Sequence, residues 1–296
     1  MNHRNNQDRN ELAKRAALLH LSSLSLANGM KSGSFKSLYH GQGVEFSGVR
    51  DYLIGDDIRS IDWNVTARMG KPYVKMFEEE HELNVFIVAD RSLSMNTGAE
   101  KRSRLETAME CCALLTLASL QNSSPVGAVL FDGEISFSTA PKGGKNHALS
   151  LLSKFEEEFN PKNGSYLDNA LQGAGKLLKK RTLVLVISDF RTEGWEHPLA
   201  YLAQHHDVVA IRITDPMDEE LPDTGSIPFI DVETGYQCVL PTSSVPFRKV
   251  WREDNKMRVD LWKKECIKRG AFPFCLNTQS DVAVELTRFF AGRSSI

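Results

Sequence analysis

Asn84-Val-Phe-Ile-Val-Ala-Asp-Arg-Ser-Leu-Ser94 is the stretch on which the fold turns. The apolar run Val85–Ala89 stops abruptly at Asp90, and hydroxyls follow at alternate positions, Ser92 and Ser94. A short run with no polar face reads as a strand covered on both sides, which is the situation of a central strand in a parallel sheet. In open α/β sheets ligands bind beyond the carboxyl ends of such strands, where the strand order reverses. One carboxylate and two hydroxyls at that place form an all-oxygen set, the preference of a hard divalent cation such as Mg²⁺.

Downstream, strands and helices alternate, which predicts a doubly wound, mostly parallel sheet. Helical spacing covers Arg104 to Leu120, and Val126–Phe131 is the second strand. Asp132-Gly133 then predicts a tight turn into an antiparallel edge strand, Glu134–Ser138. Helices follow over Lys145–Phe155 and from Gly164 to near Lys180, where the cations Lys179–Arg181 suit a helix end. Leu183–Ser188 is another central strand that ends in a carboxylate, Asp189. A helix from about Gly194 to His205 and a strand over Val208–Ile213 come next. The excursion Asp215–Pro241 holds a hairpin around Glu233-Thr-Gly235. A long helix over Val245–Lys268, a strand over Phe272–Leu276 and a helix capped by Asp281 close the chain.

Upstream, residues 1–10 read as a disordered tail and Glu11–Ala27 as a helix, followed by a basic loop, Lys31–Gln42. The segment around Gly55-Asp-Asp-Ile-Arg-Ser-Ile-Asp-Trp-Asn-Val-Thr-Ala-Arg68 predicts a short helix capped by Asp62 and stopped by Gly70. Arg50, Arg59 and Arg68 stand among several acids, so internal pairing in a clasp around Trp63 competes with a ligand site. Glu78-Glu-Glu-His-Glu82 reads as a solvated lead-in to the first strand. The organisation expected is a tail (1–10), an N-terminal helix and signature segment (11–80), and an α/β domain (81–296).

Composition narrows the function classes. The 296 residues carry a formal net charge of −2, which gives no basic footprint for nucleic acid. Five scattered cysteines form no C-x-x-C pair and no zinc spacing, as expected of buried thiols in a reducing compartment. Neither a signal peptide nor an apolar span of membrane length is present, so a cytoplasmic protein without an integral membrane segment is expected, peripheral association remaining open.

If this is one doubly wound sheet, three segments converge. Asp90, Ser92 and Ser94 follow the first strand, Ser165 precedes a helix, and Asp189 ends a central strand. Two carboxylates nearly neutralise a divalent cation, while hydroxyls ligate it without adding charge. Sites of this kind also support phosphoryl transfer, so an Mg²⁺-dependent phosphohydrolase is the alternative to a binding role. Against hydrolysis, no Walker loop, H-E-x-x-H or G-x-S-x-G motif occurs, and Ser92 stands where a second acid would be wanted. Arg91 is the adjacent cation that could meet an anion.

The D-x-S-x-S loop, the later Gly164-Ser165 and the strand-terminal Ser188-Asp189 resemble the metal-ion-dependent adhesion site of von Willebrand factor type A domains. The upstream Gly-Asp-Asp-x-Arg-x-Ile-Asp-Trp signature, Ile187-Ser-Asp-Phe190, His205-His-Asp-Val-Val-Ala-Ile and Asp215-Pro resemble the bacterial domain-of-unknown-function family fifty-eight. That resemblance implies a von Willebrand A-like fold preceded by an N-terminal helix and clasp segment. It also implies a non-enzymatic adaptor working beside a MoxR-type AAA+ ATPase in assembly, activation or chaperone-like handling of client proteins. The implied ligands of Mg²⁺, Mn²⁺ or Ca²⁺ are Asp90, Ser92, Ser94, Ser165 and Asp189. This chain departs at Ser165, where Thr is common, and at Tyr166, where Asp is frequent.

Overall fold

All six residues of Val85–Asp90 are buried in the computed structural model, as a two-sided apolar run requires. The structure describes residues 43–80, 83–98, 102–157, 164, 166–230 and 236–292, together with residues 23, 26–28 and 30. The chain divides into two compact units, Lys36–Leu83 and the remainder.

In the smaller unit, strands β1 (Gly43–Asp51) and β2 (Tyr73–Glu80) form an antiparallel pair with a bulge between Phe46 and Gly48. Helix α1 (Trp63–Met69) lies between them in sequence. Asp62 caps it by accepting from the Asn64 and Val65 amides at 3.0 and 3.1 Å. Gly70, at φ 71°, ends it as expected. The expected pairing appears as a bidentate bond from Arg50 to Asp56, 2.7 Å on both arms. It does not build a clasp around Trp63, which is 66 % exposed. The side chains of Glu78–Glu82 and the loop Lys31–Gln42 lie outside the described residues, as do the tail 1–10 and most of the expected first helix. Of that helix, residues 23, 26–28 and 30 are helical, which carries it past the expected end at Ala27.

The larger unit is built on a six-stranded sheet in the order β10-β7-β6-β3-β4-β5. Its strands are β3 (Val85–Asp90), β4 (Val126–Phe131), β5 (Ile135–Lys142), β6 (Leu183–Ser188), β7 (Asp207–Thr214) and β10 (Phe272–Asn277). Every neighbouring pair is parallel except β4–β5, the antiparallel edge expected from Asp132-Gly133. This is the expected doubly wound, mostly parallel architecture with one antiparallel edge strand. β3 sits between β4 and β6, where the strand order reverses. The edge strands β5 and β10 each contain a proline, Pro141 and Pro273.

Alternation along the strands assigns the two faces. Phe86 and Val88 of β3, Val184 and Val186 of β6, and Val208 and Ala210 of β7 face one core. Helices α4 (Leu167–Leu177), α5 (Glu196–His205) and α7 (Val245–Lys268) cover it through Leu171, Leu199, Leu202 and Trp262. Helix α2 (Arg104–Gln121) packs on β3, and both α3 (Lys145–Glu156) and α8 (Val282–Gly292) pack on α2. A capping box fixes the start of α2. The Glu106 amide donates to Ser103 Oγ at 3.1 Å, and the Ser103 amide donates to the Glu106 carboxylate at 2.7 Å.

Two boundaries differ from expectation. α4 stops at Leu177, and Leu178 is already extended, so Lys179–Arg181 lie beyond the helix end; Arg181 pairs with Asp207 at 3.1 Å. The excursion after β7 contains a short helix, α6 (Pro216–Glu219), and the hairpin strands β8 (Ser226–Ile230) and β9 (Gln237–Pro241). The turn at Glu233–Gly235 lies outside the described residues. Among the described residues no helix is long and apolar enough to cross a membrane.

The antiparallel edge supplies a first test of this architecture. A Cβ on Gly127 would lie 2.6 Å from Pro141 N and 2.7 Å from Thr139 O, both backbone atoms of β5. Gly127→Ala therefore forces β4 and β5 apart, and we expect a loss of about 1–3 kcal/mol in urea unfolding, as for other overpacked sites. An unchanged midpoint would mean that the edge pairing is looser than described.

Candidate metal centre

The rim at the carboxyl ends of β3 and β6 carries four of the five expected residues, Asp90, Ser92, Ser94 and Asp189. Asp90 is fully buried. Its Oδ1 accepts from the Ser92 amide at 2.8 Å, and its Oδ2 accepts from Ser188 Oγ at 2.7 Å. Ser188 Oγ in turn accepts from the Phe190 amide at 3.0 Å. Ser92 opens a 3-10 turn, Leu93–Asn96, but its hydroxyl makes no capping bond. It faces Ser94 Oγ instead, 3.1 Å away. The two hydroxyls thus meet beside a buried carboxylate, as the D-x-S-x-S spacing predicted. Thr97 Oγ1 donates to Ser94 O at 2.6 Å and holds the turn from behind.

Asp189 comes to the same rim from β6. Its Oδ1 accepts from the Arg191 amide at 3.2 Å. Its Oδ2 is buried without a hydrogen-bond partner, and the nearest cation, Arg191 Nε, stands 3.6 Å off. Phe190 holds the chain there in the left-handed region at φ 51°, which an L-residue with a large side chain adopts only under constraint. The constraint is its ring, set 5.4 Å from Trp195 and 5.3 Å from Trp262 between centroids. Burial pushes the Asp90 carboxyl up to about 7, and the neighbouring charge of Asp189 adds to the rise.

Ser165 lies outside the described residues. Its neighbours are placed: Gly164 has φ 96°, and the Tyr166 amide donates to Asp132 O at 3.2 Å. Arg91 does not face the rim. Its guanidinium donates to the backbone carbonyls of Lys154 and Glu157, at 3.5 and 2.5 Å, because a helix carboxyl end offers unpaired acceptors.

Sequence reasoning gave Ser188 no role, although it holds Asp90 directly. The signal was present in the register: Ala89 pairs with Ile187, so Ser188 is the next residue across from Asp90. Also missed was the ion network behind the rim. Arg104, at the start of α2, bonds Thr97 Oγ1 and reaches Asp218 at 2.6 Å; Arg191 reaches the same carboxylate at 2.5 Å.

Among the described residues no group of three or more His, Cys, Asp or Glu side chains is placed to hold a metal. The rim offers a different donor set, two carboxylates and paired hydroxyls. A buried Asp189 oxygen without a hydrogen bond, and a buried Asp90 carboxyl whose ionisation the charge of Asp189 opposes, fit a hard divalent cation.

A family model described as "Protein of unknown function DUF58" matches residues 48–259. The "Uncharacterized protein Rv1480" of Mycobacterium tuberculosis is 28% identical over 288 residues, covering 96% of this chain and 90% of that protein. The "Uncharacterized protein MAV169" of Mycobacterium avium is 39% identical over 141 residues, 43% of this chain and 75% of that protein. Among solved structures, the conserved hypothetical protein BatB from Bacteroides thetaiotaomicron superposes with a TM-score of 0.47 at 17% identity, over 72% of this chain and 100% of that one. The SpRpn10 VWA domain gives 0.40 at 11% identity, over 70% of this chain and 95% of that one.

Proposed function

The chain belongs to the family described as Protein of unknown function DUF58, and from that premise we propose that it is a non-enzymatic, metal-dependent adaptor. Family and fold together suggest a protein-interaction role. In this reading Asp90, Ser92, Ser94, Asp189 and Ser165 hold a divalent cation, Mg²⁺ in the first instance. The cation supplies an electrophilic point for an acidic side chain of a partner, and the partner is a MoxR-type AAA+ ATPase acting on client proteins.

The observation that carries the reading is the meeting of the Ser92 and Ser94 hydroxyls beside buried Asp90, with Asp189 Oδ2 lacking a partner. The chain's own residues do the positioning. Ser188 and the Ser92 amide orient Asp90, and Thr97 fixes the turn that carries Ser94. The adaptor is favoured over a phosphohydrolase because Arg91 is turned to backbone carbonyls and the Arg191 Nη2 is held by Asp218, leaving only its Nε toward Asp189.

The test is recovery of a MoxR-type ATPase on the immobilised full chain. We expect recovery to fall about tenfold or more, about 1.4 kcal/mol of binding, in EDTA and in the Ser92→Ala, Ser94→Ala double variant. Undiminished recovery in both would reject a metal-bridged interface. Mg²⁺-dependent turnover of a generic phosphate ester that vanishes in Asp90→Ala would replace the adaptor with an enzyme.

A further inference from the structure

A cavity of about 490 Å³ opens between the loop after β6, strand β7 and helix α7. Its volume lies in the roughly 300–1,000 Å³ range of small-ligand sites, which join apolar walls to a few convergent polar groups. Phe190, Trp195, Trp262 and Leu261 supply apolar wall, and three guanidinium groups line it as well.

Those three cations are not equivalent. Arg191 is held by Asp218 at 2.5 Å, and Arg258 by Asp254 at 3.0 Å on its own helix. Arg212 is only 8 % exposed, and no ion pair or hydrogen bond to it is found among the described residues. Its alternation on β7 places it on the face of Val208 and Ala210, at the top of the core. There its Cζ lies 5.6 Å from the centroid of the Trp262 ring. Stacking engages the guanidinium face and leaves its in-plane N–H fork for a planar partner. Burial works against the charge of Arg212 and outweighs the nearby charges of Asp189 and Asp218, so an anion against that fork would relieve it.

The surroundings select the anion. One positive charge without a hydrogen-bonded or ion-paired partner among the described residues matches a monoanion. Glu196 and Glu265 also line the cavity, and Glu265 is taken up by Arg269 at 2.7 Å, so a dianion would meet excess negative charge. Aromatic walls require an apolar body. We propose that this cavity binds a monocarboxylate with an aromatic or aliphatic group, its carboxylate on the fork of Arg212 and its apolar part against Trp195, Trp262 and Leu261. The same chemistry is offered by a free organic acid and by the C-terminal residue of a polypeptide. The site requires no cation at the rim.

Calorimetric titration of the full chain in EDTA, with N-acetyl-phenylalanine as probe, tests this. We expect one site, with the corresponding amide binding at least about tenfold more weakly. Arg212→Gln should weaken the acid by a similar factor and leave the amide unchanged, so that acid and amide then bind alike. Leu261, 56 % exposed on α7, gives a control that spares the core. Leu261→Glu should bind the acid severalfold more weakly than Leu261→Lys, because both lose the apolar contact and only the first adds a like charge. No binding at millimolar acid, equal binding of acid and amide, or equal affinity of the two Leu261 variants for the acid would overturn the proposal. A glycine-rich pentapeptide ending in phenylalanine separates the sources. Tighter binding than the acetylated amino acid assigns a polypeptide C-terminus, and weaker binding a free acid.

Discussion

Asp90→Asn is expected to abolish stabilisation by Mg²⁺ while leaving the cation-free protein at least as stable as the wild type. Asparagine keeps an acceptor for the Ser92 amide, and its NH₂ can donate to Ser188 Oγ, which now donates to Asp90. What disappears is a buried carboxylate whose ionisation is opposed by burial and by the charge of Asp189. A ligand at 100 times its Kd stabilises by about 2.7 kcal/mol, which for a chain of 296 residues is a rise in Tm of about 4 °C. Thermal melts in EDTA and in saturating Mg²⁺ read both halves of the expectation. The wild type should show that rise and the variant almost none. An equal rise in both proteins would place any bound cation away from Asp90.

The second large effect belongs to Arg104, which is 4 % exposed. Arg104→Met retains the aliphatic stem but removes the charge that joins Thr97 to Asp218. Leaving a buried charge unpaired costs about 3–5 kcal/mol; Asp218 keeps Arg191 at 2.5 Å, so the expected loss is about 1.5–3 kcal/mol. Burial raises the Asp218 carboxyl, but the charges of Arg191 and Arg104 outweigh it and hold the group below the usual carboxylate range. A depressed acid contributes stability above its unfolded pKa, about 3.9, and loses that stability as pH falls through the folded value. Urea unfolding should therefore show a large deficit in the variant near pH 7 and a smaller one near pH 3. A deficit independent of pH would make Arg104 a packing residue only.

The parts of the site that could be read from the chain are those at strand ends. Asp90 and Asp189 each terminate a run of apolar residues, and a carboxylate there has few places to go but the rim. Ser92 and Ser94 follow from alternate spacing after such an end. Ser188 was hidden because its role depends on register between β3 and β6, a pairing of residues 98 positions apart. Arg91 was misread because sequence adjacency says nothing of direction, and the carbonyls at the end of α3 were the stronger attraction. Arg212 carried a signal that was passed over, a cation at a core-facing position of an apolar strand. The fold was the more legible part, since β3, β4, β6, β7 and β10 announced themselves by apolar runs and β5 by the Asp132-Gly133 turn before it. The stop of α4 at Leu177 was not, because no glycine or proline marks it.

Both outermost strands of the main sheet contain a residue without an amide hydrogen, Pro141 on one side and Pro273 on the other. Such a residue interrupts the ladder that an additional chain would need in order to join. The bulged register of β5 adds a second obstacle on its side. The sheet is thereby closed to growth by strand addition, so copies of this protein crowded together have no simple path to fibrils through it.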